Sequence, residues 1–143
     1  LKIKKMNYKI IAQYIKDIKF DIPNPKIFFE LSKNISDYKI QIDIKSNQFK
    51  ENIIEVETTL TLNPTKTNFQ KINTKIIYSS IVEVDSKISS KNDLEKIILI
   101  DVPGEIYSNL RKIFVFIFES SGFKNIKIDK NIDFQKLYNQ KKN

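Results

Sequence analysis

Two pairs of carboxylates stand where acids could act together: Asp17 with Asp21 in YIKDIKFD, and Glu55 with Glu57 in IEVETTL. Paired acids can divide general acid and general base roles when burial raises the pKa of one of them. In both stretches, however, apolar and polar residues alternate, which sets the acids on the polar side of a strand, in water. Other catalytic repertoires lack parts. The chain has no histidine and no cysteine, so His-based triads, disulfide scaffolds and His- or Cys-ligated metal sites are excluded. Ser79, Ser80, Ser120 and Ser121 have no histidine to activate them and no G-x-S-x-G turn to present them. Two glycines in 143 residues provide no loop that could cradle a phosphate. These residues suit binding; neither an enzyme nor a cofactor is expected.

Strands must carry the carboxylates. Period-two alternation of β-branched and aromatic residues runs through residues 9–22, 37–45, 54–62 and 71–84. In the first, Tyr14, Ile18, Phe20 and Ile22 share one side, with Lys16 as the polar exception, and Asp17, Lys19 and Asp21 take the other. Pro23 and Pro25 end it. In the second, Tyr38, Ile40, Ile42 and Ile44 oppose Lys39, Gln41, Asp43 and Lys45. In the third, Val56, Thr58, Leu60 and Leu62 oppose Glu55, Glu57, Thr59 and Thr61. The fourth turns Ile72, Ile76, Tyr78, Val82 and Val84 to its apolar side. Short connections after the second and third strands suit an antiparallel meander.

Beyond Asp85 the period becomes helical. Asn92 or Asp93 can cap a short helix through Ile100, and Pro103 can open another, with Glu105 at its positive end. Ile106, Leu110, Ile113, Phe114, Ile117 and Phe118 then form one stripe, and Gly122 suits the position after the helix end. Residues 123–128 read as extended. A last helix over about 133–140 presents Phe134, Leu137 and Tyr138 together. Strands followed by helices indicate α+β: a four-stranded antiparallel β-sheet, then a long helix and a short C-terminal helix.

The length fits one domain, residues 6–143, with residues 1–5 read as upstream read-through or disordered before Met6. No apolar run follows the basic start, and IFVFIF is far too short to span a bilayer. Cytoplasmic residence, with no membrane insertion, is the expectation. The net charge is +8, yet Arg111 is the only arginine among 25 basic residues. Arginine is the residue that grips phosphates and guanine edges in bidentate fashion, so no nucleic-acid partner is expected. Ten phenylalanines and six tyrosines exceed what one sheet face and two helices need, and the surplus suits an apolar groove or a subunit interface.

Three stretches give the chain a family likeness. YIKDIKFDIPNP, VPGEIYSNLRK and GFKNIKIDKNIDFQKLY resemble, in order and spacing, the conserved segments of SecB, the bacterial protein-export chaperone. The resemblance spans about residues 8–140. It implies a cytoplasmic holdase, assembled as a homotetramer (a dimer of dimers), that holds unfolded precursor proteins and passes them to the SecA motor without a cofactor. It further implies a client groove that includes Phe28, Phe29, Tyr38, Ile40, Ile42, Phe134, Leu137 and Tyr138. Asp17 and Asp21, extended by Glu55 and Glu57, would meet SecA. The chain departs from the family where Phe28 and Phe29 replace a common tryptophan, where Lys75 stands at an acidic position and should weaken the docking patch, and in its basic end, QKKN. A SecB-like chaperone dedicated to a toxin–antitoxin pair is the nearest alternative. A lysine-rich RNA-binding module is the rival from another class, but Lys39, Gln41 and Asp43 share a strand face without the interleaved aromatics such a module needs.

Overall fold

The structure, a computed structural model, describes residues 7–88, 90–124 and 126–142; the expected start at Met6 lies outside the described residues. Strands β1 (Tyr8–Asp21), β2 (Tyr38–Lys50), β3 (Ile53–Pro64) and β4 (Asn73–Val84) form one antiparallel sheet in the order β1-β4-β3-β2. Strands β2, β3 and β4 make the expected meander, and β1 returns beside β4 in a Greek-key order. Among the described residues, β1 and β2 each leave one edge unpaired.

Strand β1 breaks simple alternation. Its register with β4 shifts between Ile10 and Ala12 and again between Ile15 and Asp17. Each extra residue reverses the face that later side chains take. Lys16 is therefore the point of reversal rather than a polar exception on an apolar side. Phe20 turns to the helices and packs edge-on against Phe118, with ring centroids 5.0 Å apart. Tyr14 instead lies on the open face, where its hydroxyl donates to Glu55. The expected grouping of Tyr14 with Ile18 and Phe20 is thus corrected.

The sequence reading has no element between the first two strands, but the structure has helix α1 (Pro25–Asn34) and a 3₁₀ turn at Ile35–Asp37. Asn24 is its cap: its Oδ1 accepts the Ile27 N–H at 2.9 Å, and Pro25 follows at the helix start, where a missing N–H costs nothing. Asn24-Pro25 therefore stops the strand and starts a helix. Ile27 and Leu31, four residues apart, bury one side of it.

The two helices expected on either side of Pro103 are one continuous run: α2 (Lys91–Lys96), a π-turn (Ile97–Asp101) and α3 (Val102–Ser120). Its cap is Ser90, whose Oγ accepts the Asp93 N–H, rather than Asn92 or Asp93. The burial pattern explains the π-turn. Val102, Ile106, Leu110, Phe114 and Phe118 are buried at four-residue steps, whereas Ile97 lies five residues before Val102 and is buried beside it. A regular α-helix would turn Ile97 well away from that stripe. Bonding the Val102 N–H to the Ile97 carbonyl makes five residues one turn and keeps both on the sheet. Pro103, which has no N–H and crowds the preceding turn, is accommodated at the same place.

Gly122 ends α3 as expected, at φ 99°. The Phe123 N–H bonds the Phe118 carbonyl and the Gly122 N–H bonds that of Glu119, both at 3.1 Å, which is the Schellman arrangement. Phe118 then sits among Phe20, Phe114 and Phe123. Phe118→Ala should cost about 3–5 kcal/mol in urea unfolding, whereas Phe49→Ala, at a residue 60% exposed, should stay within about 0.5 kcal/mol.

Candidate functional site

The helix face of the sheet is not covered evenly. On β2, alternation turns Ile40, Ile42 and Ile44 toward the helices, opposite Leu62, Leu60 and Thr58 of β3. Over Ile42 and Ile44 lies a hollow of about 80 Å³, completed by Leu99, Phe134, Leu137 and Tyr138. Its far wall is helix α4 (Phe134–Lys142), whose first turn is capped where Asp133 Oδ1 accepts the Lys136 N–H at 3.0 Å.

Several polar contacts fix that wall. On α3, one turn apart, Tyr107 donates its hydroxyl to the Asp129 carbonyl at 2.6 Å and Arg111 donates Nε to the Ile128 carbonyl at 3.1 Å. They hold the irregular segment that leads into α4. Burial pushes the ionisation of Tyr107 upward, so it remains a donor. Tyr138 donates to Glu95 of α2 at 3.1 Å, and Phe134 meets the Tyr107 ring edge-on. Phe134 and Tyr138 are thereby buried, while Leu137, 40% exposed, stands at the rim.

Four of the residues implied for a groove meet here: Ile42, Phe134, Leu137 and Tyr138. The other four lie elsewhere. Tyr38 is buried, stacks on Phe69 and donates to the Gln70 carbonyl at 2.8 Å. Ile40 packs against the main core, as Ile42 also does, but does not line the hollow. Phe28 packs on Phe123, and Phe29 on α1 is 68% exposed. Two lining residues escaped the sequence reading of the groove. Ile44 was on the right face by alternation. Leu99 was not legible as lining, because only the π-turn aims it at α4; its signal is the five-residue step from Ile97 to Val102.

The opposite, open face carries the four acids. Glu55 accepts from the hydroxyls of Ser79 at 2.6 Å and Tyr14 at 3.1 Å, and pairs with Lys16 at 3.2 Å. Glu57 pairs with Lys16 at 2.7 Å and Lys45 at 3.6 Å and accepts from Asn47. The Ser79 hydrogen bond, with those from Lys16 and Tyr14, holds the Glu55 carboxyl below its ordinary range against the opposing effect of burial. Hydrogen bonds to Glu57 and Glu55 hold Lys16 above its own. Asp17 and Asp21 share this face but form no ion pair among the described residues. No helix among those residues is long and apolar enough to cross a membrane.

Residues 2–143 match the family described as Preprotein translocase subunit SecB. The chain is 44% identical, over 96% of its length and 98% of the relative's, to a protein of Pelagibacter ubique (strain HTCC1062) named for protein export and SecB. It is 24% identical to the protein-export protein SecB of Anaplasma marginale (strain Florida), over 91% of this chain and 79% of that one. Among solved structures it is similar in fold to a Mycobacterium tuberculosis SecB-like chaperone in complex with a peptide from an antitoxin, at TM-score 0.58 and 8% identity, covering 89% of this chain and 88% of that one.

The lowered Glu55 pKa fixes a sign. Its pairing adds stability that is fully present above the ordinary glutamate pKa and is lost as pH falls through the lowered value. Glu55→Gln should therefore lose less stability than the parent between about pH 6 and pH 3, read as urea midpoints. Parallel losses would mean that Glu55 gains nothing from its partners.

Proposed function

The chain belongs to the SecB family, and from that premise we propose that it is a cytoplasmic holdase that binds unfolded precursor proteins in the hollow between β2 and α4. The observation that carries this reading is the hollow itself: six apolar or aromatic side chains from three elements, beside a β2 edge that no strand among the described residues pairs. Apolar lining gains free energy with buried area and is tolerant of client sequence, at roughly 25 cal/mol per Å². The free edge can add main-chain hydrogen bonds, which are equally indifferent to sequence. No cofactor enters this account.

The same reading includes a homotetramer, a dimer of dimers. It is supported by apolar side chains left in water on two elements: Ile11, Ile15 and Ile18 on β1, and Phe116 on α3, which is 69% exposed. Apolar surface of this kind is what such an assembly would cover. For delivery to the SecA motor, we assign Asp17 and Asp21 the leading part, because the other two acids are engaged by Lys16 and Lys45.

The purified chain should suppress aggregation of an unfolded secretory precursor, with and without competing RNA, and scatter light as about four chain masses. Ile42→Ser together with Leu137→Ser should weaken client binding by about 2–4 kcal/mol and leave the mass unchanged; full holding activity in that variant would remove the hollow from the account. Asp17→Asn with Asp21→Asn should lower affinity for the motor's tail, most at low salt, while client holding persists.

A further inference from the structure

Charges on the open face of the sheet are arranged differently at its two ends. Toward the β2–β3 hairpin they satisfy one another, Lys16 and Lys45 pairing with Glu55 and Glu57. At the other end Asp17, Lys19 and Asp21 on β1 and Lys75 on β4 form no ion pair among the described residues. Lys19 and Lys75 stand directly opposite each other in register. Like charges so placed repel across a strand pair. The row that contains them runs Gln41, Thr61, Lys75, Lys19 across all four strands and holds no carboxylate. Asp17 lies in the next row on one side, opposite Ile77, and Asp21 in the next on the other, opposite Asn73.

We propose that the Lys19–Lys75 pair seats a carboxylate of a partner protein, whose flanking cations meet Asp17 and Asp21. The occupant is an extended segment with a basic, acidic, basic alternation. Three facts on this face select it. Two opposed lysines without a carboxylate in their row call for an anion. The aspartates on either side disfavour an isolated phosphate or a nucleic acid, since a polyanion laid along β1 would meet both. A strand laid over β1 places alternate side chains at the same spacing, roughly 6.6–6.8 Å, as Asp17, Lys19 and Asp21, so one register satisfies all three. This rests on reading the open face as the partner-docking surface. It also changes the role of Lys75 from a defect in an acidic patch to half of a positive site.

The test uses two end-blocked peptides, Lys-Thr-Glu-Thr-Lys and Lys-Thr-Lys-Thr-Lys, titrated into the full chain at about 10 mM salt, where screening is weak. Binding is read from amide shifts in β1 and β4. The Glu-centred peptide should bind roughly three- to tenfold more tightly, the scale of two or three exposed ion pairs. Lys19→Glu with Lys75→Glu should reverse that order, and Lys19→Gln with Lys75→Gln should erase the preference; the second variant decides the matter if the first fails to fold. If the all-lysine peptide binds the unmodified chain as well or better, the aspartates alone recruit the partner. The inference then falls while the docking surface stands. If neither peptide moves these strands, both readings fall.

Discussion

A single stripe on one helix governs how the sheet is covered. Val102, Ile106, Leu110, Phe114 and Phe118 descend α3 at four-residue steps and seal the middle of the sheet, where Val56, Leu60, Ile76 and Val82 are almost fully buried. One helix is about 10 Å wide, whereas four strands at roughly 4.8 Å spacing are wider. The flanks of the sheet therefore receive partial cover. On the β1 flank Ile15 and Ile18 remain over 40% exposed. On the β2 flank the π-turn and α4 roof Ile42 and Ile44 without filling the space beneath them. The hollow and the exposed edge are two consequences of one narrow roof.

Sequence patterning reveals which face a strand residue takes but not what lies over it. Tyr38, Ile40 and Ile42 share a face and read as equivalent. The Phe69 ring covers Tyr38, Ile40 and Ile42 both pack against the core, and of the three only Ile42 lines the hollow. Alternation succeeded in β2, β3 and β4 because their pairing runs unbroken until the hairpin end. It misplaced Tyr14 in β1 because an added residue reverses the phase without changing composition. Helix α1 went unread because Asn24-Pro25 serves equally as a strand stop and as a helix cap. Phe134, Leu137 and Tyr138 were legible, since their spacing closes one side of a short helix.

The open face follows a different physics. Its exposed aromatics, Tyr14 and Phe49, gather with Ile81 beside Glu55; at the Lys19–Lys75 end selectivity falls to charge, and the hairpin end has already satisfied its own. Glu57, although only 7% exposed, keeps two lysines and an amide as partners. Its desolvation is thereby offset by hydrogen-bonded pairing. At the other end the charges are exposed or partly exposed and form no ion pair among the described residues. On the proposed reading, client holding and partner docking are separated by the thickness of the sheet, which would let both occur at once.

That separation can be tested by photo-cross-linking. A photoreactive side chain placed at Leu137, on the rim of the hollow, or at Thr59, on the open face, would be irradiated with an unfolded secretory precursor bound. The account predicts cross-links to the precursor from position 137 and few or none from position 59. Equal labelling from both, or labelling from position 59 alone, would contradict it.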